Sequence, residues 1–323
     1  TGLIHIFLDG ESPMQKIQNQ KSNYVQQCSQ MDEKDLARLE KWNENTFIQF
    51  GKDINRQILY NGRDKKGEAE HKIIRYIRDQ KSQGLLNHDQ KHYVISNDND
   101  LIFLLLQFID EDFSIIKIDI NEKTKKATYY IISIKEVRQF FFSRIHQNCH
   151  RNDFDVERLS MDIIALSFFL GNDYVECFDE IYHCHNAFDL ILDSYGQMNS
   201  RSSCAYHYLT DGCSFNAANL KAFATNLVSK LKNYQEQQKQ QQMQGYQKKQ
   251  IKPSKPKTID NRNTKPNFNP FQKEAARDMI QALRWTLSYY LYGIPSWNYQ
   301  YPKIKMINLN DFSILIDIVI SKK

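Results

Sequence analysis

The chain has 323 residues, 41% of them hydrophobic, and 43 Lys and Arg against 38 Asp and Glu give a net charge of +5. That length can bury a large core in one big domain or two, and the mild basic excess permits nucleic-acid binding without requiring it, since placement of charge matters more than its sum. The longest apolar run, LIFLLLQFI, falls well short of the roughly 20 residues a membrane-spanning helix needs, so no membrane partner is expected. Six cysteines without a CxxC pair fit a reduced protein, and neither a basic leader nor a cleavage signature is present, so an intracellular protein of nucleus or cytoplasm is expected. Thr1 is not a methionine, and native sequence is expected upstream of it.

Residues 3–8 (LIHIFL) are a continuous apolar run, the pattern of a strand buried on both faces of a parallel sheet. Asp9-Gly10 ends it, and a polar helical stretch follows from about Pro13 to Lys41. A second strand, QILY at 57–60, leads through the turn NGRDKKG into Glu68. Then HKIIRYIRDQ has Ile73, Ile74 and Ile77 at helical spacing, and HYVIS at 92–96 is a third strand that ends in NDND. Strand, helix and strand in this order predict an α/β fold with a mixed, mainly parallel central sheet flanked by helices. FSIIKIDI and ATYYIISI, joined by NEKTKK, predict a hairpin, and EVRQFFFSRI and DVERLSMDIIALSFFLG predict helices, the second running into Asn172 and Asp173.

Residues 186–231 read as further helices and loops, which closes a first domain at 1–231. Residues 232–267 are dominated by Gln, Lys, Asn and Pro and read as a disordered linker. Order resumes at 268–323 with FNPFQKEAARDMIQALRWTLSYYLYGIPSWNYQYP, a helix stopped by Gly293 and Pro295 and followed by closely spaced aromatic residues. This segment is expected to be a helical extension packed back on the core.

The acids carry the chemistry. Asp9 closes the first strand, Glu68 and Glu70 stand in GEAEHK, Asp98 and Asp100 in SNDNDL, and Asp173 in FLGNDY. Taken singly, each has an ordinary reading, because acids complement helix N-termini and Asn and Asp favour turns. Together they call for another explanation, since sites in doubly wound sheets form at the carboxyl ends of strands. The i, i+2 spacing also puts both members of a pair on one face where the backbone is extended. Gathered carboxylates repel one another unless a hard cation lies among them, and oxygen-only ligands suit Mg²⁺ or Mn²⁺. In-line displacement at phosphorus is the chemistry such a site supports, and a metal-dependent nuclease is the first reading. Cys177, His183, Cys184 and His185 lack a structural-zinc spacing, as do His146, Cys149 and His150, and are not expected to bind zinc.

The order and wording of these motifs resemble the Xrn family of 5′→3′ exoribonucleases, whose core belongs with the flap-endonuclease and PIN-like nucleases. FLDGESPMQKIQNQ is similar to the family's strand, DG and A-P-x-x-K-x-x-x-Q, KKGEAEHKI to V-P-G-E-G-E-H-K-I, and NDNDLI to L-D-A-D-L-I. FLGNDY is similar to F-L-x-G-N-D-F, YLTD at Tyr208–Asp211 is a weaker echo, and LRWTLSYYLYGIPSWNYQYP resembles the family's aromatic segment. The resemblance implies single-stranded RNA as substrate, two Mg²⁺ or Mn²⁺ ions, and six of the family's seven metal-binding acids at Asp9, Glu68, Glu70, Asp98, Asp100 and Asp173. The seventh is expected upstream of Thr1. It further implies a 5′-phosphate pocket with Lys16 and Gln20, helped by Lys21, and a terminal base stacked on Trp297 or Tyr299.

Three departures stand out. Asn23 and Tyr24 replace a pair of arginines whose bidentate phosphate contacts they cannot copy. Ala69 replaces a glycine, and KIKM replaces H-Y-A-P after Pro302. They leave a second reading open, an Xrn-like scaffold or RNA-binding subunit of a larger complex. An endonuclease of the flap or PIN type keeps the acids but does not explain the aromatic segment. Tyr289, Tyr290 and Tyr292 are expected mostly as core.

Overall fold

Strand β1 (Ile4–Phe7) lies parallel to β2 (Ile58–Asn61), with Ile4 opposite Ile58 and Phe7 opposite Asn61. The structure is a computed structural model that describes residues 4–14, 16, 58–62, 64–149, 151, 153–200, 206–247, 268–300 and 307–320. Most of the helix expected over Pro13–Lys41, with Gln20, Lys21, Asn23 and Tyr24, lies outside these residues. Contacts divide the chain into two compact units. One takes the described residues of Thr1–Phe140, Asn172–Tyr174 and Arg284–Pro302, and the other those of Phe141–Gly171, Val175–Leu283 and Lys303–Lys323.

In the first unit, helix α1 (Ala69–Ser82) buries Ile74 and Ile77, the apolar positions read from the sequence. Strand β3 (Lys91–Ile95) leads into the one-and-a-half-turn helix α2 (Asp100–Leu105), which buries Leu101, Leu104 and Leu105. β3 runs parallel to β4 (Asp112–Ile120), and β4 pairs antiparallel with β5 (Ala127–Ser133). The expected hairpin therefore forms. Its turn is held by Asn121, whose side-chain oxygen accepts from the N–H groups of Lys123 and Thr124, an Asx-type bond that explains the Asn there. Among the described residues the mainly parallel sheet is present as two pieces, β1-β2 and β3-β4-β5. All four β1 residues are half-buried, less than the doubly covered strand expected. Arg138, near the start of α3 (Ile134–Cys149), is buried and donates to the carbonyls of Leu106 and Phe108 at 3.2 and 3.0 Å.

The second unit is helical. Helix α4 (Val156–Ser167) begins on an Asp155 N-cap that accepts from the Arg158 N–H, and a single 3₁₀ turn, Phe168–Leu170, extends it. After the short α5 (Asp179–Tyr182) come α6 (Ala187–Ser200), a two-residue ladder of β6 (Thr210–Asp211) with β7 (Ser214–Phe215), and α7 (Ala217–Gln247). Part of α8 (Pro270–Tyr292) and α9 (Leu309–Ile320) complete it. The linker expected to start at 232 is corrected here, because α7 runs on to Gln247. Gln, Lys and Glu are strong helix formers, so a polar stretch can prolong a helix whose first turns are packed on Leu220, Phe223 and Leu227. The divisions at 1–231 and 268–323 are likewise not followed by the compact units, since 141–171, 175–231, 268–283 and 303–323 group together.

Gly196 shows how tightly α6 and α3 meet. A Cβ there would lie 2.6 Å from the Ile145 carbonyl oxygen and 2.8 Å from the Asn148 Cβ. Alanine would gain about 1 kcal/mol of helix propensity, but overpacking against backbone costs about 1–3 kcal/mol or more and cannot be relieved by a side-chain shift. Gly196→Ala should therefore lower the urea midpoint of unfolding, whereas a solvent-facing glycine would raise it.

Candidate metal centre

The centre is built by the loops after β1 and β2. Gly67 adopts φ +107°, a left-handed conformation that glycine tolerates best. Its N–H donates to the Glu11 carbonyl and its own carbonyl accepts from the Gly10 N–H, both at 2.9 Å, which locks the two loops together. Lys72 reinforces this from α1. Its buried ammonium donates to the carbonyls of Leu8 at 2.7 Å and Gly62 at 2.9 Å, joining the ends of both strands.

Glu68 is the N-cap of α1, with extended backbone, yet its side chain does not cap the helix. Asp9 does so instead, accepting from the Ala69 N–H at 2.7 Å. A carboxylate from another strand thus satisfies an orphan donor at the positive end of the helix. Glu68 is free to turn inward, where it is 1% exposed, and Glu70 lies in the first helical turn beside it.

The second pair repeats the arrangement. Asp98 Oδ1 accepts from the Asp100 N–H at 2.8 Å, and Asp100 opens α2 behind an Asn99 N-cap. Asn97 fixes the turn to β4, exchanging 2.9 Å bonds with the N–H and carbonyl of Ile118. Both pairs therefore straddle helix N-termini, as the helix-start reading of Glu68 and Glu70 expected for the first pair. The helix dipole is the physical reason acids are tolerated there.

The acids converge on a cation position. Lys16 Nζ lies 2.8 Å from Glu68 Oε2, 2.9 Å from Asp173 Oδ2 and 3.8 Å from Glu70 Oε1. Burial alone would depress Lys16, but the charge and hydrogen bond of Glu68, with Glu70 and Asp173, outweigh it and raise its pKa. Glu70 is pushed up to about 9, first by burial and then by the hydrogen bond and charge of Glu68, against the pull of Lys16. Asp100 is pushed up to about 6 by burial and by Asp98, with Asp173 adding to the rise and Tyr290 and Lys16 opposing it.

Two tyrosines complete the shell. The Tyr174 hydroxyl donates to Glu68 Oε1, and the Tyr290 hydroxyl donates to Asp100 Oδ2 at 2.9 Å. Burial, followed by the neighbouring carboxylate, raises the pKa of both, so both remain donors. Tyr290 is held in place by its own carbonyl, which accepts from Arg78 and Gln107 of the core. His71 stacks on Tyr289 at 3.6 Å, and burial holds its pKa well below the usual value, with Arg78 and Lys16 adding to the effect. Glu68, Glu70 and His71 place ligand atoms within 4.8 Å of one another, the one such group among the described residues.

Of the sequence-predicted residues, the structure brings Glu68, Glu70, Asp173 and Lys16 into contact, with Asp9 on the adjacent backbone. Asp98 and Asp100 join them through the field that Asp100 shares with Asp173 and Lys16. Trp297 accepts through its carbonyl from the Met14 N–H at 3.2 Å, and Lys66 lies 5.5 Å from its ring centre. Tyr299 is stacked on Trp285 at 5.1 Å and 16°, which occupies one of its faces. Tyr289 and Tyr290 are core as expected, at 2% and 1% exposure, whereas Tyr292 is 60% exposed. The bonds of Tyr174 and Tyr290 to the acids were not read from sequence, because an aromatic beside an acidic motif looks like core until its hydroxyl is placed.

The donor set fits a hard divalent cation. It is rich in carboxylate oxygen, it already draws in an ammonium, and burial beside Glu68 raises the pKa of Glu70, a cost that added positive charge relieves. An α/β fold with acids gathered beyond the ends of parallel strands is that of the PIN-like nucleases. The XRN 5′-3′ exonuclease N-terminus matches residues 37–119, which include both acid pairs. The chain is 25% identical over 195 residues to 5′-3′ exoribonuclease 1 of Schizosaccharomyces pombe, covering 57% of this chain and 14% of that protein. It is 26% identical over 150 residues to human 5′-3′ exoribonuclease 1, covering 43% and 9%, and 29% identical over 164 residues to 5′-3′ exoribonuclease 2 of Saccharomyces cerevisiae, covering 43% and 16%. The chain therefore spans less than a fifth of the length of these relatives, and over part of its own length it is similar to the Xrn 5′-3′ exonucleases. No helix among the described residues is long and apolar enough to cross a membrane.

Proposed function

We propose that the chain is the catalytic core of a 5′→3′ exoribonuclease that hydrolyses single-stranded RNA to mononucleotides. The observation that carries this reading is the convergence of Glu68, Glu70 and Asp173 on one cation position at Lys16. The relatives' name, 5′-3′ exoribonuclease, supplies the reaction and the substrate. Asp9, Glu68, Glu70, Asp98, Asp100 and Asp173 would hold two Mg²⁺ or Mn²⁺ ions. When bound, such ions supply charge neutralisation at phosphorus and lower the pKa of water.

The chain's own residues do the rest. Tyr174 and Tyr290 donate to Glu68 and Asp100 and fix the direction of those carboxylates. Lys16 brings a half-buried positive charge into contact with three of the acids, where it would meet a phosphate oxygen. Gln20 and Lys21 would extend that contact to the 5′ end, and Trp297, more than the stacked Tyr299, would face a terminal base.

The same ion pairs favour a second reading. Lys16 already neutralises much of the acidic cluster, as a scaffold that had lost metal binding would require. Full-length protein incubated with Mg²⁺ and RNA bearing a 5′-monophosphate, a 5′-hydroxyl or a cap separates the two. Mononucleotide release that needs Mg²⁺ and disappears in Asp98→Ala is the expected result. Inert wild-type protein would remove the enzyme reading in favour of the scaffold, and internal cleavage products would replace it with an endonuclease.

A further inference from the structure

The register of sheet β3-β4-β5 sorts its side chains into two faces, because residues directly opposite one another in a ladder project to the same side. Phe113 and Ile115 mark the inner face, at 2% and 0% exposure. On the outer face Ile95, Ile116 and Ile131 form one row across all three strands, and Ile118 with Tyr129 forms the next. Alternation along the strands adds Tyr93 and Ile120 to the same face. A sheet face that meets water is normally polar. Here Tyr93, Ile95, Ile120, Tyr129 and Ile131 are 54–67% exposed.

These five side chains offer on the order of 600 Å² of apolar surface, at the upper end of what a monomer leaves open. A stable interface takes about 800 Å² from each partner, and the half-buried Ile116 and Ile118 lie within the same outline. The rows between the Lys91–Asp112 pair and the turn after Ile120 hold no charged side chain, so two copies of the face bring no like charges together. Tyrosine and β-branched isoleucine also suit the layer of about 10 Å between packed sheets. With a two-fold axis along the row from Ile95 to Ile131, the strands of the two copies run in opposite directions. The basic turn of one copy, with Lys123, Lys125 and Lys126, then lies over the end of the other that carries Asp112, and not over itself.

We infer that this outer face pairs with the same face of a second copy, so that the protein forms a two-fold dimer through a sandwich of two β3-β4-β5 sheets. Such an isologous contact closes on itself and stops at two chains. It is independent of the nuclease reading, because none of the acids belongs to the face.

Sedimentation velocity of the full-length protein from about 1 to 100 μM tests this, a range that reports dimers of micromolar affinity. Wild type is expected to pass from monomer to dimer across the range. Tyr93→Lys and Ile131→Lys, on the two outer strands of the face, are each expected to stay monomeric to the highest concentration. Leu85→Lys removes an apolar side chain of similar exposure, 63%, outside the sheet and should leave the dimer unchanged. All three positions are exposed, so thermal melting should match wild type, and Tyr93→Thr or Ile131→Thr stands in for a variant that melts early. Wild type that is monomeric throughout overturns the proposal and leaves the face to a different partner. A dimer lost in Ile131→Lys but kept in Tyr93→Lys would mean pairing along the edge of β5, and a dimer kept in both would lie elsewhere on the chain. Either result overturns the proposal.

Discussion

Glu68→Gln is expected to lower RNA hydrolysis by the full-length protein on the order of 10³-fold, beyond the roughly 10–100-fold typical of an outer-shell partner of a metal ligand. Glu68 is the most enclosed of the acids, and both its oxygens are engaged, one by the Lys16 ammonium and one by the Tyr174 hydroxyl. Both partners are donors. A glutamine offers one oxygen and one NH₂ group, so it can accept from one partner and must present a donor to the other. Tyr174→Phe provides the comparison, since it leaves the carboxylate in place and removes only the bond that aims it. Its expected loss is about 10–100-fold. The two variants should rank the same way in Mn²⁺ affinity measured by electron paramagnetic resonance, which does not depend on turnover. Activity of Glu68→Gln within about tenfold of wild type would mean that this carboxylate is not a metal ligand.

The acids could be read from the sequence because each stands in a short word beside an apolar run, and the order of those words narrows the fold to one family. Their hydrogen-bond partners could not. That Glu68 and Glu70 stand at a helix start was legible from HKIIRYIRDQ, but the cap that frees Glu68 comes from Asp9, 60 residues away in the chain, accepting from Ala69. The roles of Lys72 and Tyr290 were hidden for a similar reason. One spends its charge on the carbonyls of Leu8 and Gly62, and the other reaches Asp100 across 190 residues. Long-range hydrogen bonds leave no periodicity. The extension of α7 to Gln247 was missed through a different error, in which lack of apolar residues was taken for lack of helix, although intrinsic propensity acts without burial.

Asp162→Ala is expected to destabilise the helical unit by about 3–5 kcal/mol, the range for removing one partner from a buried charged network. Asp162 is 0% exposed on α4 and accepts four hydrogen bonds. The Tyr195 hydroxyl and the Leu209 N–H bind one oxygen, each at 2.6 Å, and the Thr210 N–H and hydroxyl bind the other at 2.8 and 2.6 Å. One carboxylate thus joins α4 to α6 and to the YLTD segment that opens the β6–β7 ladder, and alanine would leave two buried backbone N–H groups unpaired. Burial nevertheless outweighs these donors and pushes Asp162 up to about 6. A raised carboxyl pKa means the folded state holds its proton longer than the unfolded one, so stability falls as pH rises through the window from about 4 to about 6. Two pKa units correspond to roughly 3 kcal/mol. Urea unfolding of wild type and Asp162→Asn at pH 4 and pH 7 isolates this group, because the amide cannot titrate. Wild type is expected to exceed Asp162→Asn by more at pH 4 than at pH 7. A stability difference that stays constant with pH would show that the four donors hold Asp162 ionised throughout, leaving the network stabilising but pH-independent.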